Sequence, residues 1–291
     1  RDSLFERIVA SSQKAYVLLA TGRLCESEAL FREAEALQLE LQPSLPHLYS
    51  IQGLQYCELL LARGRPEEAL KRAGYILNLR DSSLFLSHPL ARLIELSIRS
   101  LLEPIAQQSL SQEVLDNLFV ANQEVYIVSG YLAQAEILLC NGAPGSDIEA
   151  ALTEAETRAG RGPMPLFQAD ALLLRARHKF RTADGEGRAE ANDYRDQASF
   201  LIRKHDYGRR EPDLAVLDCE LDPSLENFQT ACAKVSQEGW WHLMQRLELL
   251  VPIIDRQHRS FFRRQYPASN LLAPLREAQA AYHRERNDMQ T

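Results

Sequence analysis

The chain has 291 residues, 45% apolar and 25% charged, with a net charge of −7. This is the composition of an ordinary folded protein. It excludes a disordered polymer, and the acidic balance argues against a mainly electrostatic nucleic-acid binder. The five cysteines, Cys25, Cys57, Cys140, Cys219 and Cys232, are scattered without a CxxC pair, so neither a zinc knuckle nor a redox motif is present. They fit a reducing, cytoplasmic setting. No apolar run reaches the roughly 18 residues of a membrane span, and the N-terminus carries no signal-peptide pattern.

In chain order, residues 3–21 carry apolar positions at helical spacing and stop at Gly22-Arg23-Leu24; residues 25–40, rich in Ala, Leu and Glu, form the next helix. Gln42-Pro43-Ser44-Leu45-Pro46 separates this pair from a second, Leu48–Ile76. There Gly64 ends one helix and Pro66 opens its partner, the positions each residue favours. Overlaid on their glycines, the pairs align Ala15, Leu18, Gly22 and Ser27 with Cys57, Leu60, Gly64 and Ala69. A third copy carries Ala135, Leu138 and Gly142, with a second helix opening at Ser146 in an expected capping box with Glu149. Between copies two and three lies a degenerate unit, His88–Ile105 and Ser111 to about Leu118. A fourth matches at Ala171 and Leu174 but places His178 at the glycine position, and its partner helix covers Arg188–Lys204.

After Lys204 the repeat dissolves. Residues 205–221 read as a turn and a short helix, Asp222-Pro223 as a helix start, and Trp240-Trp241 as the opening of a helix to Ile254. A basic aromatic segment and a last helix from about Leu271 to Arg284 follow. The expected organisation is a repeat array over 1–204 with a helical C-terminal extension over 205–291 packed on it as a cap, because a stacked array needs an atypical end.

Gly22 and Gly64 lie 42 residues apart, and Gly64 and Gly142 lie 78 apart, two units of about 39. Helical hairpins at slightly more than the roughly 34-residue tetratricopeptide period predict an all-α, right-handed superhelix of TPR-like hairpins. The glycine turns, Glu-rich second helices and Ala/Leu anchors resemble the tetratricopeptide superfamily. More narrowly, QPSLPHLYSIQGLQYCELLLARGR and YGRREPDLAVLDCEL are similar to stretches in the C-terminal sensor arms of bacterial signal-transduction ATPases of the STAND (NACHT or NLR-like) type. The resemblance implies an arm that recognises a ligand or protein and releases an attached N-terminal effector. No GxxxxGK(S/T) loop is present, so a nucleotide-binding module would lie outside these residues. The start at Arg1-Asp2 agrees with a piece of a longer polypeptide, as it does with terminal processing.

No motif for an enzyme is written in the chain: HExxH, GxSxG and GxGxxG are absent, and the seven histidines are isolated, so no metal and no cofactor are expected. The expected function is non-catalytic recognition of a protein or peptide on the concave face, with a free-standing adaptor that assembles other proteins as the alternative. First helices line the inside of such arrays. Their candidate contacts are Tyr16, Tyr49, Gln52, Tyr56, Tyr126, Tyr131, Gln134, Arg175 and Arg177, residue types common at protein interfaces. Arg256, Arg259, Arg263 and Arg264 form the one basic patch, read first as a solvated helix face.

Overall fold

The three repeated glycines end their helices by one mechanism. In this computed structural model, which describes residues 3–79, 87–102, 112–120, 122–182, 185–261 and 273–288, Gly22, Gly64 and Gly142 have φ of 86°, 63° and 65°. The amides of Gly22, Gly64 and Gly142 donate to Leu19, Leu61 and Leu139. Those of Arg23, Arg65 and Ala143 donate to Leu18, Leu60 and Leu138. This pair of bonds satisfies the terminal carbonyls and requires a left-handed residue, hence glycine. The leucine repeated in the sequence is the residue whose carbonyl receives the bond from five residues on. The aligned small residues are the points where paired helices cross: Ser27 Oγ donates to the Ala15 carbonyl at 2.8 Å, and Cys57 Sγ to that of Ala69 at 3.6 Å.

The described residues form fourteen α-helices and no strand: α1 (Leu4–Ala20), α2 (Leu24–Leu41), α3 (Ser50–Ala62), α4 (Pro66–Asn78), α5 (Ser87–Leu102), α6 (Gln112–Val120), α7 (Glu124–Cys140), α8 (Gly145–Arg161), α9 (Pro165–Thr182), α10 (Gly185–Lys204), α11 (Glu211–Leu221), α12 (Leu225–Glu238), α13 (Met244–Phe261) and α14 (Ala273–Asp288). One-turn 3-10 helices at Gly208–Arg210 and Trp241–Leu243 precede α11 and α13. Each odd-numbered helix from α1 to α11 touches the next odd-numbered one. Each even-numbered helix from α2 to α12 packs on the helix that follows. Odd helices therefore line one side of the succession.

Local starts and stops depart from expectation at five places. The helix expected over Arg188–Lys204 begins at Gly185, and the one expected from Trp240-Trp241 to Ile254 begins at Met244, after a 3-10 turn, and runs on to Phe261. Ser146 does not cap α8: the helix begins at Gly145, Ser146 Oγ donates to Asp147, and Glu149 instead accepts from Arg175 at 2.7 Å. The helix expected to start at Asp222-Pro223 begins two residues later, with Ser224 accepting from the amide of Asn227. His178 is no turn position, since α9 runs on to Thr182 and buries the imidazole beside Glu149.

The C-terminal extension does more than cover a last hairpin. Gly208 abuts the first turn, where a methyl group on Gly208 would lie 2.2 Å from the Thr21 carbonyl oxygen and one on Gly22 would lie 2.9 Å from the Gly208 carbonyl carbon. Trp241 presses on Gly64 in the same manner, whereas the space around Gly142 is open. Glu238 Oε2 accepts from the Leu24 amide at 3.1 Å and so caps α2, which has no side-chain cap of its own. Arg63 donates to the Glu238 carbonyl at 2.7 Å. One buried apolar cluster accordingly combines Phe31, Leu59 and Leu60 with Val216, Phe228, Trp240 and Leu247. The succession of helices closes on its own beginning.

This closure separates two glycine substitutions. Gly142→Ala is expected to cost about 1 kcal/mol, the left-handed conformation alone. Gly208→Ala forces backbone apart and is expected to cost about 3 kcal/mol. Urea denaturation of both variants reads the difference, and equal losses would remove the closing contact from the account.

Candidate functional site

Several helices carry isolated charges on otherwise apolar stretches. Glu58 interrupts the run Leu54–Leu61 in α3, and Glu136 is the single charge of α7 after its first turn. Asp170, Arg177 and Arg181 fall at i, i+7 and i+11 on one face of α9, as do Asp213 and Glu220 at i and i+7 on α11. These faces converge on Tyr207-Gly208-Arg209-Arg210. Arg209 Nη1 donates to Glu58 Oε2 at 2.7 Å. Arg210 donates to Asp170 at 2.7 Å and Asp213 at 3.3 Å, and the Tyr207 hydroxyl to Asp170 at 3.2 Å. Arg246 of α13 forks onto both oxygens of Glu220 at 2.8 Å and lies 3.6 Å from Asp213. His242 Nδ1 meets the Ala62 carbonyl at 3.2 Å, so that nitrogen carries the proton.

The electrostatics follow from this packing. Tyr16 is held well above the usual phenol range, first by Glu58 and then by burial. Burial and then Asp170 do the same for Tyr207. Burial works against ionisation of Asp213, but Arg210, His242 and Arg246 outweigh it and hold its carboxyl below the usual range. Burial lowers His242 despite the opposing Asp213. Burial pushes the thiols of Cys57, Cys219 and Cys232 up to about 12 and raises that of Cys140. At neutral pH the Tyr16 and Tyr207 hydroxyls on this face are therefore protonated, among paired charges.

The expected contact residues scatter. Tyr16 and Arg177 lie on this face, and Tyr126 lies within the field of Glu58. Tyr56 leaves the set of contacts: it is 2% exposed, stacked on Phe31 at 5.0 Å with Arg72 over its other side at 4.4 Å. Tyr131 packs edge-on to Phe119 beneath Arg158. Arg175 is consumed by Glu149 and Glu156, and Tyr49 donates to Gln42 at 3.3 Å. Gln52 and Gln134 are half-buried and bond to no described side chain. Of the basic patch, Arg256 is exposed on α13, the side chain of Arg259 lies outside those described, and Arg263 and Arg264 lie outside the described residues. Glu58, Asp170, Arg209, Arg210, Asp213, Glu220 and Arg246 were not singled out from sequence. For Asp170, Asp213 and Glu220 the signal was the i+7 spacing of charges on one helix face, and for Glu58 the single charge in an apolar stretch; Arg209 and Arg210 lie in a 3-10 turn that carries no such pattern.

Among the described residues no group of three His, Cys, Asp or Glu side chains is arranged to hold a metal ion, and no described helix is long and apolar enough to cross a membrane. No family model, curated protein or solved structure matches the chain.

Two measurements check the site. Glu58→Gln and Arg209→Gln are each expected to destabilise the fold by roughly 1–3 kcal/mol, less than a fully buried pair, because Glu58 is 32% exposed. The double variant should lose less than the sum, and strict additivity would mean the pair is not coupled. The depressed folded pKa of Asp213 contributes stability that is complete above about pH 4 and lost as pH falls through its lower folded value. Asp213→Asn should therefore lower the melting temperature at pH 7 and flatten its decline between about pH 4 and pH 2; an unchanged acid profile contradicts this assignment.

Proposed function

We propose that the chain is a non-catalytic recognition module, the sensor arm of a larger bacterial signalling or defence ATPase working in the reducing cytoplasm. In this reading its hairpins are of TPR type and wind as a right-handed superhelix. The observation that carries the reading is the convergence of polar side chains from α1, α3, α7, α9, α11 and α13 on one face. A protein or small ligand entering there meets side chains from both ends of the chain at once. Its binding energy is then spent on strengthening or loosening the closure between the Gly22 and Gly64 turns and the C-terminal helices. That motion is the signal passed to the linked N-terminal effector.

A photo-reactive benzoylphenylalanine at Tyr126, which lies within the field of Glu58, is expected to crosslink a discrete partner or ligand in cells. The same probe at Phe200, 62% exposed on α10, is expected to give none. Adducts from Phe200 alone would reverse the reading.

A further inference from the structure

Four arginines of this charged face are unequally served. Arg246 has both nitrogens of its fork on Glu220, Arg210 has Asp170 and Asp213, and Arg209 has Glu58. Arg177 sits among them with its side chain 20% exposed and makes no hydrogen bond to any described residue. Its single ion pair is a loose one, 3.6 Å to Glu136, which is itself 46% exposed. One turn along the same face of α9, Arg181 spends a single nitrogen on the Leu139 carbonyl at 2.6 Å and has no carboxylate partner among the described residues. Its residue is exposed, so the pair is reached from solvent. The Cys140 thiol at the end of α7 lies within the fields of Arg177, Arg181 and Arg246 together.

A guanidinium carries five N–H donors and keeps its charge at all working pH values. Withdrawing it from water without returning those bonds is unfavourable, and a neighbouring Arg246 makes it more so. The acids close by do not relieve it, because Glu220 is engaged by Arg246 and Asp213 is shared between Arg210 and Arg246. The group that satisfies planar donors at two successive turns of one helix is an oxyanion with two or more acceptor oxygens.

We propose that Arg177 and Arg181, beside Cys140, form the binding site for a carboxylate- or phosphate-bearing small molecule. The site rests on the recognition reading and names the class of ligand. Arg177 forks onto the anion and Arg181 contacts it from the solvent side. Glu136 is displaced outward, to which its exposure leaves it free.

The test is calorimetric titration of the full chain with inorganic phosphate and, separately, citrate, at constant ionic strength. Saturable binding of at least one ion is expected, weakened tenfold or more in Arg177→Gln and in Arg181→Gln. Arg177→Lys, which keeps the charge and loses the fork, should fall between. Phosphate without citrate binding assigns a phosphate ligand, and the converse a carboxylate. Arg23→Gln, an exposed residue paired only with its neighbour Glu26, serves as the unaffected control. Should Arg177→Gln lose its native circular dichroism, the exposed Arg181→Gln carries the test alone. No saturable binding of either ion, or binding unchanged in the variants, overturns the site. Crosslinking from Tyr126 would in that case still stand, so the loss of the anion site and the loss of the recognition reading are told apart.

Discussion

The contact between Gly22 and Gly208 sets the arrangement of everything else. Two backbones approach so closely there that neither position accepts a Cβ. The approach brings Arg209 within 2.7 Å of Glu58 and seats the tyrosine and second arginine of the same turn on Asp170. Glycine supplies the proximity and the charges supply the direction: close packing alone would tolerate sliding, whereas a charged hydrogen bond fixes the register. The Glu238 carboxylate on the open N-terminus of α2 and Trp241 on Gly64 repeat the same device at the next turn.

Closing the succession in this way alters its energetics. A row of helical hairpins is ordinarily held by neighbour-to-neighbour contacts, and its ends fray. Here the first two hairpins and the C-terminal helices bury a common cluster, with Phe31, Leu60, Phe228 and Trp240 almost inaccessible. Ends that share an interior unfold together rather than separately, which makes the closure a natural two-state element. A ligand shifts such an element only as far as it distinguishes the two states.

The charged face gains its meaning from the same geometry. Arginines and carboxylates drawn from six elements are matched closely at Glu58, Asp170 and Glu220 and poorly at Arg177. Matched pairs hold the elements in place. The loosely paired guanidinium is where an anion has something to gain, since the unfavourable removal of its charge from water has already occurred during folding.

The sequence by itself determined the helices and the turns that join them. Glycines at 22, 64 and 142, Pro66 and the small residues at 15, 27, 57 and 69 act over a few residues, so their spacing alone revealed the hairpins. Where a start depended on competing local partners, as at Ser146 and Asp222, the reading moved by a residue or two, because Arg175 from another helix took Glu149 and Ser224 outbid Asp222 as the cap. Tertiary structure alone decided which tyrosines face inward: Tyr16 does, while Tyr56 is sealed between Phe31 and Arg72. It alone joined Arg209 to Glu58 across 151 residues. Periodicity records which side of a helix is apolar, but not which distant surface will press against the other side; that is fixed only when the chain closes and opposite charges meet at hydrogen-bond distance.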